Sequence, residues 1–525
     1  MSAVYLYVLA GIAGAAAHLS VFRVGEWDTA SLSICKLHAA ALSIASLIVS
    51  TLYHVSLLTV AACFGCYVAG LYSSMIIYRS FFHRLHAYPG PFLAKISGFY
   101  TTATCTRDLG TFRAVQKLHA QYGDYLRLDP DAVQAIYNAH SPVTNGPFYS
   151  SMAPQKSLLM ARDKREHARR RKVWDQGFTT KALLGYQGQL ARSVNELLVG
   201  IEKKRHEPMN MTRWLDLFAF DVMESLAFGK SSHKFRDRAE DAYIFGVLRQ
   251  VQIGFARFAT VPWFLPIWNL VPVLSPHYAN FQAWLRTQIQ ERIENEPEQP
   301  DIFSWILDAY KRGPKTQQDT LDLYGDCFLI VIAGSDTTAA SLTHTIFHLA
   351  TNPELVRRLQ HELDALPSIA HENLLKVDLI DATLKEALRL HPVVPSGLQR
   401  ITPPEGLTIG QNHIPGDTIV KVPTHTVLRD ARNFEMPNEF IPERWTTRAE
   451  LVKNHSVFLP FSAGPHACAG QRLAMMEMRS VIAEILCRYN VRLAPGQTEK
   501  AFMDGKKDTF TVVPGELHLI FEPRE

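Results

Sequence analysis

A chain of 525 residues could hold several average domains, so length alone decides little. Hydrophobic residues make up 47% and charged residues 20%, which describes a globular protein with a membrane part. The net charge of +4 is too mild for a nucleic-acid binder, so no nucleic acid is expected as a partner. Seven cysteines (Cys35, Cys63, Cys66, Cys105, Cys327, Cys468 and Cys487) are odd in number and scattered, which argues against a disulfide framework and fits a reducing compartment. Cys63 and Cys66 form a C-x-x-C inside an apolar run and read as lipid-embedded thiols.

Residues 4–22 are almost purely apolar, then Arg23, Glu26, Asp28 and Lys36 interrupt, and residues 37–78 carry no formal charge. A span needs about 20 apolar residues, so the second run accommodates two spans. Residues 1–78 therefore read as a membrane anchor of three transmembrane helices, with one span plus an interfacial hairpin as the alternative. The first run lacks the basic leader of a cleavable signal. Arg23 and Lys36 flank the first loop, Arg79, His83 and Arg84 follow the last span, and the second loop has only His54. That bias puts the N-terminus in the lumen and everything after Arg79 in the cytosol. Residues 79–95, with Tyr88-Pro89-Gly90-Pro91, read as a basic, proline-rich, stiff hinge, and residues 96–525 as the soluble body.

Seven of the eleven residues 162–172 are basic. Such a run is either a solvated face, a docking surface for an acidic partner, or a means of neutralising a carboxylate-bearing cofactor. His167 and Arg171 are four apart and share one face. Residues 211–230 read as an amphipathic core helix. Residues 261–272 are apolar and aromatic, but three prolines forbid a long helix. They form either a buried loop or one that dips into the bilayer with Trp263 and Trp268 at headgroup level.

Residues 322–349 form a long helical pattern containing Ala333-Gly334-Ser335-Asp336-Thr337-Thr338. Those hydroxyls compete for backbone carbonyls, which predicts a local opening that admits water beside an acid and an alcohol, the parts of a proton relay. A helix follows at 381–390, ended by Pro392, with Glu386 and Arg389 on one face. Arg400 opens a segment of hairpins that runs to Pro415-Gly416. Near the C-terminus, Phe461-Ser462-Ala463-Gly464-Pro465-His466-Ala467-Cys468-Ala469-Gly470 is too rich in Gly and Pro for a strand and leads into a helix. A sulfur at a helix start is favoured as thiolate, and a thiolate so held can be the fifth ligand of a haem iron. A lone cysteine is otherwise a small buried hydrophobe.

Phe461, Gly464, Cys468 and Gly470 resemble the cysteine-loop signature of the cytochrome P-450 family, Phe-x-x-Gly-x-Arg-x-Cys-x-Gly, with His466 in place of Arg. Residues 333–338 resemble its I-helix motif without departure. Glu386-x-x-Arg389 and Phe440-Ile441-Pro442-Glu443-Arg444-Trp445 resemble its K helix and the segment that completes a Glu–Arg–Arg network. His167-x-x-x-Arg171 resembles the Trp-x-x-x-Arg of its C helix, with His for Trp, and Arg400 matches its propionate-binding arginine. These likenesses span roughly residues 89–525.

The resemblance implies a mainly α fold with small β-sheet regions, preceded by the transmembrane helices. It implies heme (haem, iron protoporphyrin IX) bound through the Cys468 thiolate. Phe461 would shield the sulfur, amides around Ala469 and Gly470 would hydrogen-bond it, and Gly464 and Gly470 would allow close approach to the porphyrin. Arg171, Arg400, His167 and His466 would meet the propionates. Glu386, Arg389 and Arg444 would form a structural network under the cysteine loop. Thr337 would hydrogen-bond dioxygen and Asp336 would help deliver protons. Val393, Val394 and Ser396 would point into the distal pocket, and a hairpin at Thr509-Phe510-Thr511 would close it. The expected partners are NADPH-cytochrome P-450 reductase, with cytochrome b5 as a further donor, a lipophilic small-molecule substrate and membrane lipid. The implied activity is a monooxygenase of the endoplasmic reticulum, facing the cytosol, that hydroxylates, epoxidises or desaturates in fungal secondary metabolism. A dioxygen-independent isomerase or dehydratase, and a non-catalytic membrane haem-binding protein, are the alternatives, and the Asp336-Thr337 pair argues against both.

Overall fold

In a computed structural model the described residues are 3–52, 56–106, 108–123, 130–138, 140–229, 238–269, 276–297 and 299–524. The second loop with His54, part of the proline-rich stretch at 270–272, and the Cys105 side chain lie outside them. The described thiols are all unpaired.

The apolar N-terminal runs fold as three helices, Ala3–Phe22, Asp28–Val49 and Leu57–Phe82, each long and apolar enough to cross a membrane. The first and third pack closely because glycines line their seam. A Cβ on Gly14 would lie 1.9 Å from the Tyr67 carbonyl oxygen, and one on Gly70 2.0 Å from that of Gly11. The second helix leans on the third through His38, whose ring lies 5.9 Å from that of Tyr67.

Residues 79–88 are tied to distant parts of the chain by hydrogen bonds. Arg79 donates to the Ile96 carbonyl at 2.8 Å, Arg84 to that of Asp417 at 2.9 Å, and Tyr88 to that of His413 at 3.0 Å.

In the body, the helix Met211–Phe228 is buried on nearly every side against the helix Gln317–Ala350. The latter is 34 residues long, about 50 Å at 1.5 Å per residue, and runs through the core. Thr316 and Asp319 cap its start reciprocally. Phe218, Ala219, Ala339, Leu342 and Ile346 sit in the core between these two helices and their neighbours. The strands are short and antiparallel. One sheet has the order β1 (Thr144–Asn145), β3 (Gln399–Ile401), β6 (Ile419–Lys421), and places Asn145 opposite Arg400. A second joins β2 (Met209–Asn210), β10 (His518–Pro523) and β7 (Tyr489–Leu493). Two hairpins complete the set: β4 (Leu407–Ile409) with β5 (Asn412–Ile414), and β8 (Lys507–Thr509) with β9 (Thr511–Val513). The fold is thus mainly helical with small sheets. Strands β1, β3 and β9 and the long helix help to wall the cavity that holds the candidate site.

Candidate functional site

The cysteine loop is shaped by its own backbone. Ser462 and Gly464 take positive φ, 59° and 65°, and the Cys468 N–H donates to the Phe461 carbonyl at 2.8 Å. The helix Gln471–Arg488 then begins, and the Cys468 sulfur accepts the N–H groups of Gly470 and Gln471. Sequence reasoning expected Ala469 and Gly470; the sulfur sits one residue further toward the helix, where the orphan amides of a first turn point. Burial pushes the Cys468 thiol up, and the two amides and the Arg171 guanidinium pull it back. The sulfur is surrounded by protein yet open to an internal cavity that Phe461, His466, Cys468 and Gly470 help to line.

Arg171 ties the helix Lys164–Gln176 to this loop, donating to the Ala467 carbonyl at 2.5 Å and to Asp175 at 2.6 Å. Arg400, buried, donates to the Gln399 carbonyl at 2.9 Å and to the Tyr149 hydroxyl at 3.3 Å. His167 and His466, the two residues that depart from the family motifs, touch each other, with ring centroids 4.1 Å apart. Burial, then the neighbouring His167 and the charges of Arg400, Lys164 and Arg171, hold His466 down at about 3. His167 is lowered by burial and by Arg171 and Arg400. Guanidinium and imidazole groups thus converge on one rim of the cavity, with Asp175 out on the exposed side of Arg171. A thiol on one wall, cationic and imidazole donors on the rim and apolar walls elsewhere fit a flat apolar macrocycle with carboxylate arms.

Glu386, Arg389 and Arg444 are fully buried and come together behind the loop. Glu386 accepts from Arg389 Nε and Nη2, from Arg444 Nε, from the Trp445 indole and from the Ile441 N–H, each at 2.9 Å. Both guanidinium groups spend their remaining donors on carbonyls of residues 428–451. The pair is therefore no surface ion pair but a core network that shapes the chain leading to Cys468.

On the opposite wall, the long helix presents Ala333, Gly334, Thr337, Thr338 and Ser341. The expected opening does not occur. The helix is continuous, and Ser335 and Thr337 donate to the Val331 and Ala333 carbonyls at 2.6 and 2.7 Å, bonds that fit within a regular helix. Successive helical residues point about 100° apart, so Asp336 does not share the cavity wall with Thr337. Its carboxyl is buried, accepts from Gln252 of the helix Arg238–Phe258 and from the Thr511 hydroxyl, and is lifted to about 7 by burial, with Arg249 opposing and Asp216 adding. Thr511 itself lines the cavity and so links Asp336 to it.

Val393, Val394, Phe510 and Thr511 line the cavity as expected. Ser396 does not; its hydroxyl turns away to Asp508. The basic run also divides. Arg162 pairs with Glu26, Arg169 with Glu166, and Arg170, buried, with Asp322 and Asp326. Lys164 donates to the Ser141 and Pro142 carbonyls, which leaves Arg165 and Lys172 as the outward cations. Sequence reasoning missed Gln252, and it missed the bonds that Thr511 makes to Asp336 and Trp445 to Glu386, partners that lie far along the chain. It also missed Glu477, buried on the cavity wall with an oxygen that lacks a hydrogen-bond partner and lifted by burial to about 8. Its only sequence signal is a carboxylate on an otherwise apolar helix face.

A family model described as Cytochrome P450 matches residues 124–521. The chain belongs to the cytochrome P450 family. Its relatives include cytochrome P450 monooxygenase orf5 of Eupenicillium brefeldianum, 45% identical over 87% of this chain and 95% of that one. Cytochrome P450 monooxygenase FCK2 of Fusarium pseudograminearum is 40% identical over 99% and 98%. Tryprostatin B 6-hydroxylase of Aspergillus fumigatus is 32% identical over 98% and 96%. This P450 is accordingly an oxidoreductase whose family cofactor is haem with cysteine-thiolate ligation.

Proposed function

We propose that this P450 is a monooxygenase of fungal secondary metabolism that hydroxylates, epoxidises or desaturates a lipophilic small molecule. For hydroxylation the balance is substrate C–H, dioxygen, NADPH and a proton going to C–OH, water and NADP⁺, with electrons delivered by NADPH-cytochrome P450 reductase. The observation that carries the reading is that Cys468 and Thr337 line one and the same cavity. The relative named as a hydroxylase favours hydroxylation among the three outcomes.

Haem, when bound, supplies oxygen activation, and thiolate ligation favours O–O cleavage. Cys468 would hold it through its sulfur, toward which the Gly470 and Gln471 amides donate. Arg171, Arg400, His167 and His466 would meet its propionates, with two imidazoles where the family uses Trp and Arg. Phe461 shields the sulfur. Thr337, whose hydroxyl donates to the Ala333 carbonyl, would turn it toward dioxygen, and Asp336, lifted to about 7 by burial and bonded to Thr511, would help to deliver protons. Residues 1–78 anchor the enzyme in the endoplasmic reticulum, 79–95 form the hinge, and 96–525 form the catalytic body in the cytosol. A carbon monoxide difference spectrum of the reduced enzyme tests the ligand. The long-wavelength Soret band should appear and should vanish in Cys468→Ala; a band that survives that change overturns the assignment.

A further inference from the structure

The basic run contains one member whose partner lies in the membrane anchor. Arg162 makes a two-pronged ion pair with Glu26 at 2.6 and 2.8 Å, with both side chains about 30% exposed. Glu26 belongs to the loop between the first two anchor helices. The next residues, Asp28–Ala30, pack against Pro147–Ser150 and Pro262–Phe264 of the body, and the Asp28 carboxylate accepts the Trp263 backbone N–H. The second anchor helix itself touches Leu265–Asn269. Arg162 meanwhile donates to the Ser150 hydroxyl at 3.0 Å and the Asn145 carbonyl at 2.9 Å. Asn145 is the β-partner of Arg400, and Phe148 stacks on Phe510, a cavity residue, at 5.4 Å. The anchor loop is thus a few contacts from the cavity rim.

The anchor is stiff enough to transmit this hold. Its first and third helices share a glycine seam, and the Arg23 guanidinium sits 5.7 Å from the centre of the Tyr78 ring at the end of the third. The body is therefore attached twice, by the covalent hinge and by the loop. A single tether lets a domain swing and roll on a bilayer, and a second attachment away from the hinge removes that freedom.

We propose that the loop of residues 23–30 is a built-in clamp. Through Glu26 and Arg162 it sets the tilt of the catalytic body on the membrane and holds Pro147–Ser150 and Pro262–Phe264 against Asp28–Ala30. The proposal rests on residues 1–78 being the membrane anchor. Trp27 and Trp263, both exposed, lie on the two sides of the contact, where interfacial aromatic residues belong.

The test uses the full chain in microsomes. In Glu26→Cys/Arg162→Cys, a bismaleimide long enough to span the two side chains of the ion pair should link the first tryptic fragments to the body. In Glu26→Arg, amide exchange at 147–150 and 262–269 should quicken by roughly three- to tenfold. The swap Glu26→Arg/Arg162→Glu should restore it, and Glu26→Gln should show the same direction if charge reversal impairs folding. Absence of the cross-link, unchanged exchange in both Glu26 variants, or no restoration by the swap overturns the clamp. Alkaline carbonate extraction separates the underlying reading: release of the chain from the membrane overturns the anchor itself, whereas loss of the cross-link from a retained chain overturns only the clamp.

Discussion

Behind the cysteine loop, a buried carboxylate is matched by charge: Glu386 faces two guanidinium groups, an indole and an amide, with side chains at zero exposure. Across the cavity, Asp336 is nearly as buried, yet the partners bonded to it, Gln252 and Thr511, are neutral, and it keeps its proton up to about 7. The contrast is chemical. Full charge pairing fixes geometry, whereas neutral partners in a dry site leave the Asp336 carboxyl poised near working pH.

Breaking the matched side should cost most. Glu386→Gln leaves two buried guanidinium groups without a counter-charge, an expected loss of about 3–5 kcal/mol. Urea unfolding of the solubilised full chain and the yield of haem-loaded enzyme would both fall; an unchanged midpoint would mean that the network does not support the loop.

The poised side should show itself through pH. Asp336 in the folded chain keeps its proton to about 7, against 3.8 for a free carboxyl. Over that window the folded state binds more protons, so its stability is full below the lower value and falls as pH rises toward the upper. Asp336→Asn should flatten the decline, with a relative gain on the order of a few kcal/mol at neutral pH. Unfolding midpoints of both proteins measured across the window decide this, and parallel curves would count against it.

Thr337→Ala should sharpen the functional half of the comparison. Product formed per NADPH consumed should drop by roughly tenfold or more, while the carbon monoxide spectrum stays intact, because the thiolate wall is untouched. Equal coupling would remove Thr337 from the proton route. The smallest effect is expected outside the cavity. Arg165→Glu with Lys172→Glu should raise the KM for the reductase a few-fold at low salt and hardly at all at high salt, since exposed charges act mainly by steering. The effect is modest because Arg162, Arg169, Arg170 and Arg171 are already spent on internal partners.

Much of the site was legible because its motifs are local. The spacing from Phe461 to Gly470, the block 333–338 and the Glu386–Arg389 offset are each set within one loop or one helical turn. The three apolar helices were legible for the same reason, since hydropathy is a property of a contiguous stretch. The hydroxyls near Thr337 were expected to open the helix, but Ser335 and Thr337 bond the carbonyls one turn back, a geometry that a regular helix accommodates. Elsewhere, where the reading missed, the cause was contact between distant segments. Ser396 was expected in the pocket, but Asp508 offered its hydroxyl a buried acceptor. His167 and His466 were each visible as departures from a motif, and only the fold brings their rings together.

The sequence by itself determined the family, the motif frame around Cys468 and three helices apolar enough to cross a membrane, because these follow from residue type and short-range spacing. Tertiary structure alone decided which charges are spent and which are available. It turned Asp336 away from Thr337 and toward Gln252, gave Glu386 its indole partner, and tied Arg162 to the anchor through Glu26. The physical reason is that desolvation and pairing depend on what lies within a few ångströms in space, and no spacing along the chain specifies that.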